Sequence, residues 1–145
     1  MLQKIQKASQ LSAADWASLI RAWILLLFFD VALRTSPFPR VQIYAAHLAS
    51  RQIQLPGSNQ SLINSLKIAV DRASYHHLYP MTCLRRALTL QKMLAQRNIA
   101  TELKIGVQKT SGQFSAHAWL EFQGQPLGEP EKITEKFKAL EKAHQ

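Results

Sequence analysis

The sequence predicts an α+β fold, with a helical N-terminal part followed by one helix and a small antiparallel sheet. Three observations carry that prediction. Apolar residues recur at helical spacing in successive segments between Ser12 and about Asn98. From Leu103 to Phe122 apolar and polar residues alternate on either side of Ser111-Gly112. Helical spacing then returns in an expected terminal helix that starts at Pro130 and lines up Ile133, Phe137 and Leu140 on one face.

Ser12 and Asp15 stand in the arrangement of a capping box, and Leu11 with Trp16 can form the hydrophobic staple beside it. A first helix is therefore expected from about Ser12 to Leu33, ending before Pro37 and Pro39. Its middle, Trp23 to Phe29, is apolar on nearly every side, so its own domain, a partner or a membrane surface must cover it. A second helix is expected at about Val41–Gln52. A third, at about Gln60–His77, places Ile63, Leu66, Val70 and Ala73 on one face. Between them Pro56-Gly57-Ser58-Asn59 marks a module boundary, with a helical region over 1–55 and a second module over 56–145. Thr82 can cap a fourth helix that begins at Cys83 and runs to about Asn98. Two strands joined at Ser111-Gly112 follow, then a turn at Gln123-Gly124 and a short strand that Pro126 confines to a sheet edge.

A chain of 145 residues with 47% apolar and 19% charged residues is long and apolar enough to fold around a core of its own. The single cysteine excludes an internal disulfide framework and argues against a thiolate zinc site. It suits a reducing, cytoplasmic setting. Lys4 and Lys7 precede the apolar stretch as in a secretory signal, yet Asp30, Arg34 and Pro37 follow where small residues would form a cleavage site. The most apolar stretch, Ala22 to Phe29, is bounded by Arg21 and Asp30 and is far shorter than the roughly 20 residues of a spanning helix. The net charge of +9 is spread over both halves and favours an acidic partner or surface without choosing one. Basic residues cluster on no single helix and no nucleic-acid recognition signature is present, so no nucleic-acid partner is expected.

Cys83, at the first turn of its helix, sits where unpaired amides and the helix dipole stabilise an anion, as a nucleophilic thiolate requires. A neighbouring backbone N–H can form half of an oxyanion hole. His117 falls on the strand face opposite Phe114, Ala116 and Ala118, and can face a cleft on the Cys83 helix as its base. Glu129, one hairpin turn later, can return beside His117 and orient it. Spacing alone also allows an inert core cysteine. His76, His77 or Tyr79 could supply a second oxyanion donor, or simply end a solvated helix; His76 and His77 find no third ligand for a metal.

Thr82-Cys83-Leu84-Arg85-Arg86-Ala87-Leu88, Ile105-Gly106-Val107 and Ala116-His117-Ala118-Trp119-Leu120-Glu121 resemble the transglutaminase-like cysteine peptidases of lasso-peptide biosynthesis. The resemblance covers about Ala69 to Phe137, and the apolar first helix is also similar to the front of stand-alone members. It implies a transglutaminase-like, papain-like fold over 56–145 and removal of a leader from a ribosomally made precursor peptide. It also implies Cys83 as nucleophile and His117 as base. The family's third member is usually Asp; Glu129 occupies or neighbours that position, and Glu131 and Glu121 are the other candidates.

The implied partners are the precursor peptide, a separate recognition-element protein that holds the leader, and a lasso cyclase that closes the ring. ATP belongs to that cyclase; no Gly-rich phosphate loop occurs here and no cofactor is expected. Peripheral membrane contact through the apolar first helix is a further expectation. The same nucleophile could instead transfer the acyl group to an amine, and a basic helical binding protein without catalysis is the remaining alternative.

Overall fold

The computed structural model describes residues 11–47, 59–128 and 137–139. Helix α1 (Ala13–Thr35) starts where Ser12 and Asp15 cap each other. The Asp15 N–H donates to Ser12 Oγ at 3.2 Å and the Ser12 N–H donates to Asp15 Oδ2 at 3.0 Å. These bonds satisfy donors that a helix start leaves over. The Ser12 hydroxyl donates to Asp15 Oδ2 at 2.7 Å, and this bond, ahead of the Ser12 N–H, holds the Asp15 carboxyl below the usual carboxylate range. At the other end Ser36 is extended (φ −130°, ψ 148°), the conformation that a following proline imposes.

One expectation about α1 is corrected. By length and composition this 23-residue helix is apolar enough to cross a membrane, although Ala22 to Phe29 alone is not. A helix of that length can carry Arg21 and Asp30 within its apolar window, so bounding the stretch by charges understated it. Its inner side is nevertheless packed in protein, with Ala22, Leu26 and Phe29 fully buried.

Helix α2 (Phe38–Ala46) begins earlier than the expected Val41. Pro37 caps it and Pro39 lies in its first turn, where no helical N–H is needed. It ends at Ala46 with His47 extended, and positions 48–52 of the expected helix lie outside the described residues. Helix α3 (Asn59–Tyr75) buries Ile63, Leu66, Val70 and Ala73, the face its spacing predicts. Helix α4 (Cys83–Ala95) is capped by Thr82, whose Oγ1 accepts from the Arg85 N–H at 3.4 Å. It stops short of Asn98, which takes a left-handed φ of 59°. The Asn98 N–H returns to the Ala95 carbonyl and the Ile99 N–H to the Leu94 carbonyl, each at 3.0 Å. That is the Schellman arrangement, with Asn in the place usually taken by Gly.

Every residue of α4 from Ala87 to Ala95 is buried, because α1, α2 and α3 pack on it from one side and the sheet from the other. Strands β1 (Glu102–Thr110) and β2 (Gln113–Phe122) pair antiparallel along their whole length around a two-residue turn. Ser111 (φ 50°) and Gly112 (φ 81°) both have positive φ, as the hairpin turn that matches strand twist requires. A second such turn leads to β3 (Gln125–Pro126), and Pro126 sits at the sheet edge as expected. Of the face predicted from alternation, Ala118 and Leu120 reach the core, whereas Phe114 is 75% exposed beside the hairpin turn, where it pairs with Lys109.

The other edge corrects a second expectation. Lys138 and Ala139 do not continue a terminal helix; they form β4 (Lys138–Ala139), pairing antiparallel with Val107 and Gly106 and giving the order β3-β2-β1-β4. An unpaired edge of β1 offers backbone partners that outweigh three apolar residues at helical spacing. Of those three, Ile133 and Leu140 lie outside the described residues.

Candidate active site

The sequence around Cys83 folds as its local signals require. Thr82 in extended backbone caps the helix, so Cys83 is the first residue of α4 and is half-buried. The amides of such a first turn are not used by the helix ladder and carry its positive dipole end. His117 stands in the middle of β2, opposite Gly106. Its ring lies nearly parallel to that of Trp119, with 17° between planes and 6.2 Å between centroids, and its centroid is 5.4 Å from that of Phe137.

Trp119 is in turn fixed at 2% exposure, and its indole N–H donates to Glu121 Oε1 at 3.2 Å. Gly106 makes room for this stack. A Cβ there would lie 2.7 Å from the Phe137 Cβ and 2.8 Å from the Trp119 ring.

Cys83 and His117 line one cavity of about 100 Å³. Val70, Leu90 and Leu127 supply apolar wall, and Lys67, Asp71 and Arg86 supply charge. Gly128 closes one side, and its φ of 67° is the left-handed region that favours glycine. The chain there runs tight against Lys67, since a Cβ on Gly128 would fall 1.6 Å from Lys67 Cε. Glu129 and Glu131 follow directly but lie outside the described residues. Glu121, the remaining acid candidate, is on β2 and accepts the Trp119 indole bond.

Sequence reasoning missed the part played by Arg85 and Arg86. Two cations in the first turn of a helix face the positive end of its dipole, which is locally unfavourable. The structure supplies an aspartate from another helix for each. Arg85 reaches Asp30 of α1 at 2.6 Å, and Arg86 reaches Asp71 of α3 at 2.5 Å. Asp71 also binds Lys67 at 2.7 Å.

Asp30, 3% exposed, accepts in addition from the Tyr79 hydroxyl and pairs with Arg34 at 3.2 Å. The Tyr79 bond, ahead of the two arginines, holds the Asp30 carboxyl below its usual range, and the same bond raises the Tyr79 phenol. For Asp71, burial pushes upward, but the Lys67 and Arg86 hydrogen bonds outweigh it and the carboxyl is lowered. The Arg85-Arg86 pair, breaking a local rule beside a cysteine, was the available signal.

The histidines before the cysteine have other employment. His77 stacks on Trp23 at 4.6 Å and its Nε2 lies 3.3 Å from the Trp23 carbonyl, while His76 packs edge-on against Tyr75. Neither they nor Tyr79 line the cavity. Among the described residues no three His, Cys, Asp or Glu gather where a metal ion could be held.

A half-buried cysteine heading a central helix, and a histidine on the adjoining antiparallel sheet, define a transglutaminase-like α+β fold. A family model described as the Transglutaminase-like superfamily matches residues 24–142, and the chain belongs to that superfamily, whose members are generally catalytic. Neither the curated proteins nor the solved structures contain a match to it.

Proposed function

We propose that this protein is a cysteine peptidase that removes the leader from a ribosomally synthesised lasso-peptide precursor. The observation that carries the reading is the shared cavity of Cys83 and His117, with the cysteine at a helix start. The motif blocks around both residues, Cys-Leu-Arg-Arg-Ala-Leu and His-Ala-Trp-Leu-Glu, give it its particular substrate class.

In this reading the Cys83 thiol passes its proton to His117, and the sulfur attacks the scissile carbonyl carbon. First-turn amides of α4 stabilise the oxyanion. The C–N bond breaks, His117 returns the proton to the leaving amine, and an acyl-thioester remains on Cys83. Water, deprotonated by His117, then releases the leader as a carboxylate and restores the thiol. The core peptide keeps a free amine, the group a lasso cyclase needs for ring closure. Glu129 orients the imidazole, and a separate recognition-element protein presents the leader.

The test is mass spectrometry of a precursor incubated with the protein and its recognition partner. Leader and core masses that sum to the precursor plus one water support hydrolysis. Cys83→Ala should abolish cleavage, Cys83→Ser nearly so because a hydroxyl ionises far less readily, and His117→Ala should slow it about 10²–10⁴-fold. Cleavage retained in Cys83→Ala ends the proposal. A leader joined to an added amine identifies acyl transfer instead.

A further inference from the structure

Helix α1 buries one side and leaves the other bare. Trp16, Ile20, Ile24, Phe28 and Val31 are between 43% and 56% exposed. Their spacing places them in one row along the helix, about 22 Å long at 1.5 Å per residue. Ile43 and Tyr44 of α2, 70% and 45% exposed, widen the row at one end, where the Tyr44 and Phe28 rings meet at 5.3 Å. Single exposed apolar residues are ordinary, but a continuous row of large ones marks a contact surface.

We infer that this face lies on an anionic lipid surface, with α1 parallel to the membrane plane. Charge selects the occupant. The exposed residues bordering the row include Arg21 and Arg40, and the nine residues of α2 contain no acid. Asp15 and Asp30 of α1 are turned to other partners, the helix cap and Arg85. A second copy would bring another chain of net charge +9 against the same acid-free face. Anionic headgroups instead complement it.

The helix does not span in this arrangement. Its opposite side holds Leu26 and Phe29 at full burial and the Asp30–Arg85 pair, all of which crossing would strip of their partners. A row of Trp, Ile, Phe and Val that begins with Trp16 and has Phe28 beside Tyr44 near its other end suits shallow insertion at the headgroup–acyl boundary. The inference is independent of the peptidase reading.

Flotation of the purified protein with vesicles of equimolar phosphatidylglycerol and phosphatidylcholine tests it. Binding is expected to these vesicles and to be much weaker to pure phosphatidylcholine. The double variant Ile20→Glu, Ile24→Glu, at exposed positions, should weaken binding by at least about tenfold with an unchanged melting temperature. Because that variant could also perturb folding, the wild-type chain gives a second readout. Brominated acyl chains should quench tryptophan emission, and the quenched fraction should fall in Trp16→Phe, which leaves the half-buried Trp23 and the buried Trp119. Wild-type protein that stays with the lipid-free fraction overturns the inference, whether it runs as monomer or dimer. So does unchanged flotation of a folded double variant, or a quenched fraction that does not fall in Trp16→Phe.

Discussion

The Asp30 carboxylate meets the Arg85 guanidinium at 2.6 Å, which joins the N-terminal helix directly to the first turn of the helix headed by Cys83. Asp30 is also held by the Tyr79 hydroxyl, four residues before the cysteine. One buried acid thus ties α1, the segment entering Cys83, and α4 together. Through Asp71 and Arg86, α3 is tied to the same turn. The cysteine's position therefore depends on three helices rather than on its own cap alone.

Asp30→Asn keeps the shape and removes the charge that Arg85 faces at 18% side-chain exposure. Breaking one partner of a buried pair is far more damaging than replacing both. The expected result is a melting temperature several degrees lower and a fall in kcat, with KM little changed. Replacing both partners, as Asp30→Leu with Arg85→Met, should recover more stability than activity. Thermal melts and steady-state kinetics on the same preparations check both.

Acid should destabilise the protein through Asp30 and Asp71. Both carboxyls are lowered in the folded chain. A lowered folded pKa contributes stability that is fully present above the unfolded value of about 3.9 and is lost as pH falls through the folded one. Urea midpoints should therefore hold steady near neutrality and drop as pH approaches and passes below about 4. In Asp71→Asn the neutral-pH midpoint should be lower and its acid dependence shallower. An unchanged slope would remove Asp71 from this account.

Gly106→Ala tests how His117 is held. The added methyl would overlap the Trp119 ring and the Phe137 side chain, so the aromatic stack beside His117 must shift. Overpacking of this kind costs about 1–3 kcal/mol. A displacement of about 1 Å at a catalytic group can cost about 10²-fold in rate. Turnover should fall far more than stability, as read from single-turnover rates beside a urea melt.

The acid that completes the site is decided by substitution. If Glu129 accepts the imidazole N–H, Glu129→Gln keeps the size, loses the charge and should slow cleavage steeply. Glu129→Asp shortens the reach by one methylene and should also be poorer than Glu. A residue acting only on a helix dipole contributes under about 1 kcal/mol and would leave turnover almost unchanged. Cleavage rates of Glu129→Gln and Glu131→Gln, measured side by side, assign the role. A slow Glu131→Gln with a normal Glu129→Gln moves it to Glu131.

The start of α4 at Cys83 was legible because Thr82 caps it with a bond to Arg85, three residues away. The hairpin was legible for a similar reason, since Ser111-Gly112 accepts the positive φ values of its turn. Helix ends were read less well. Apolar spacing carries the helix to about Asn98, whereas it ends at Ala95 and the left-handed φ of Asn98 turns the chain toward Ile99, which is 2% exposed in the core. The end segment was misread at Lys138 and Ala139 because their strand exists only where β1 presents a free edge and Gly106 no side chain.

The sequence by itself determined the order of helices α1 to α4 and of β1 to β3, the turns between those strands, and the placing of Cys83 at a helix start and His117 in a strand. Caps, turn dihedrals and the two periodicities act between residues a few positions apart, through backbone sterics and local hydrogen bonds. Only the tertiary structure decided that Arg85 and Arg86 are anchored by Asp30 and Asp71. It also decided that Trp119 and Phe137 flank the histidine, and that half of α1 stays uncovered. Those pairings join residues from different elements, and they form only once burial of the apolar faces has set which helix lies against which.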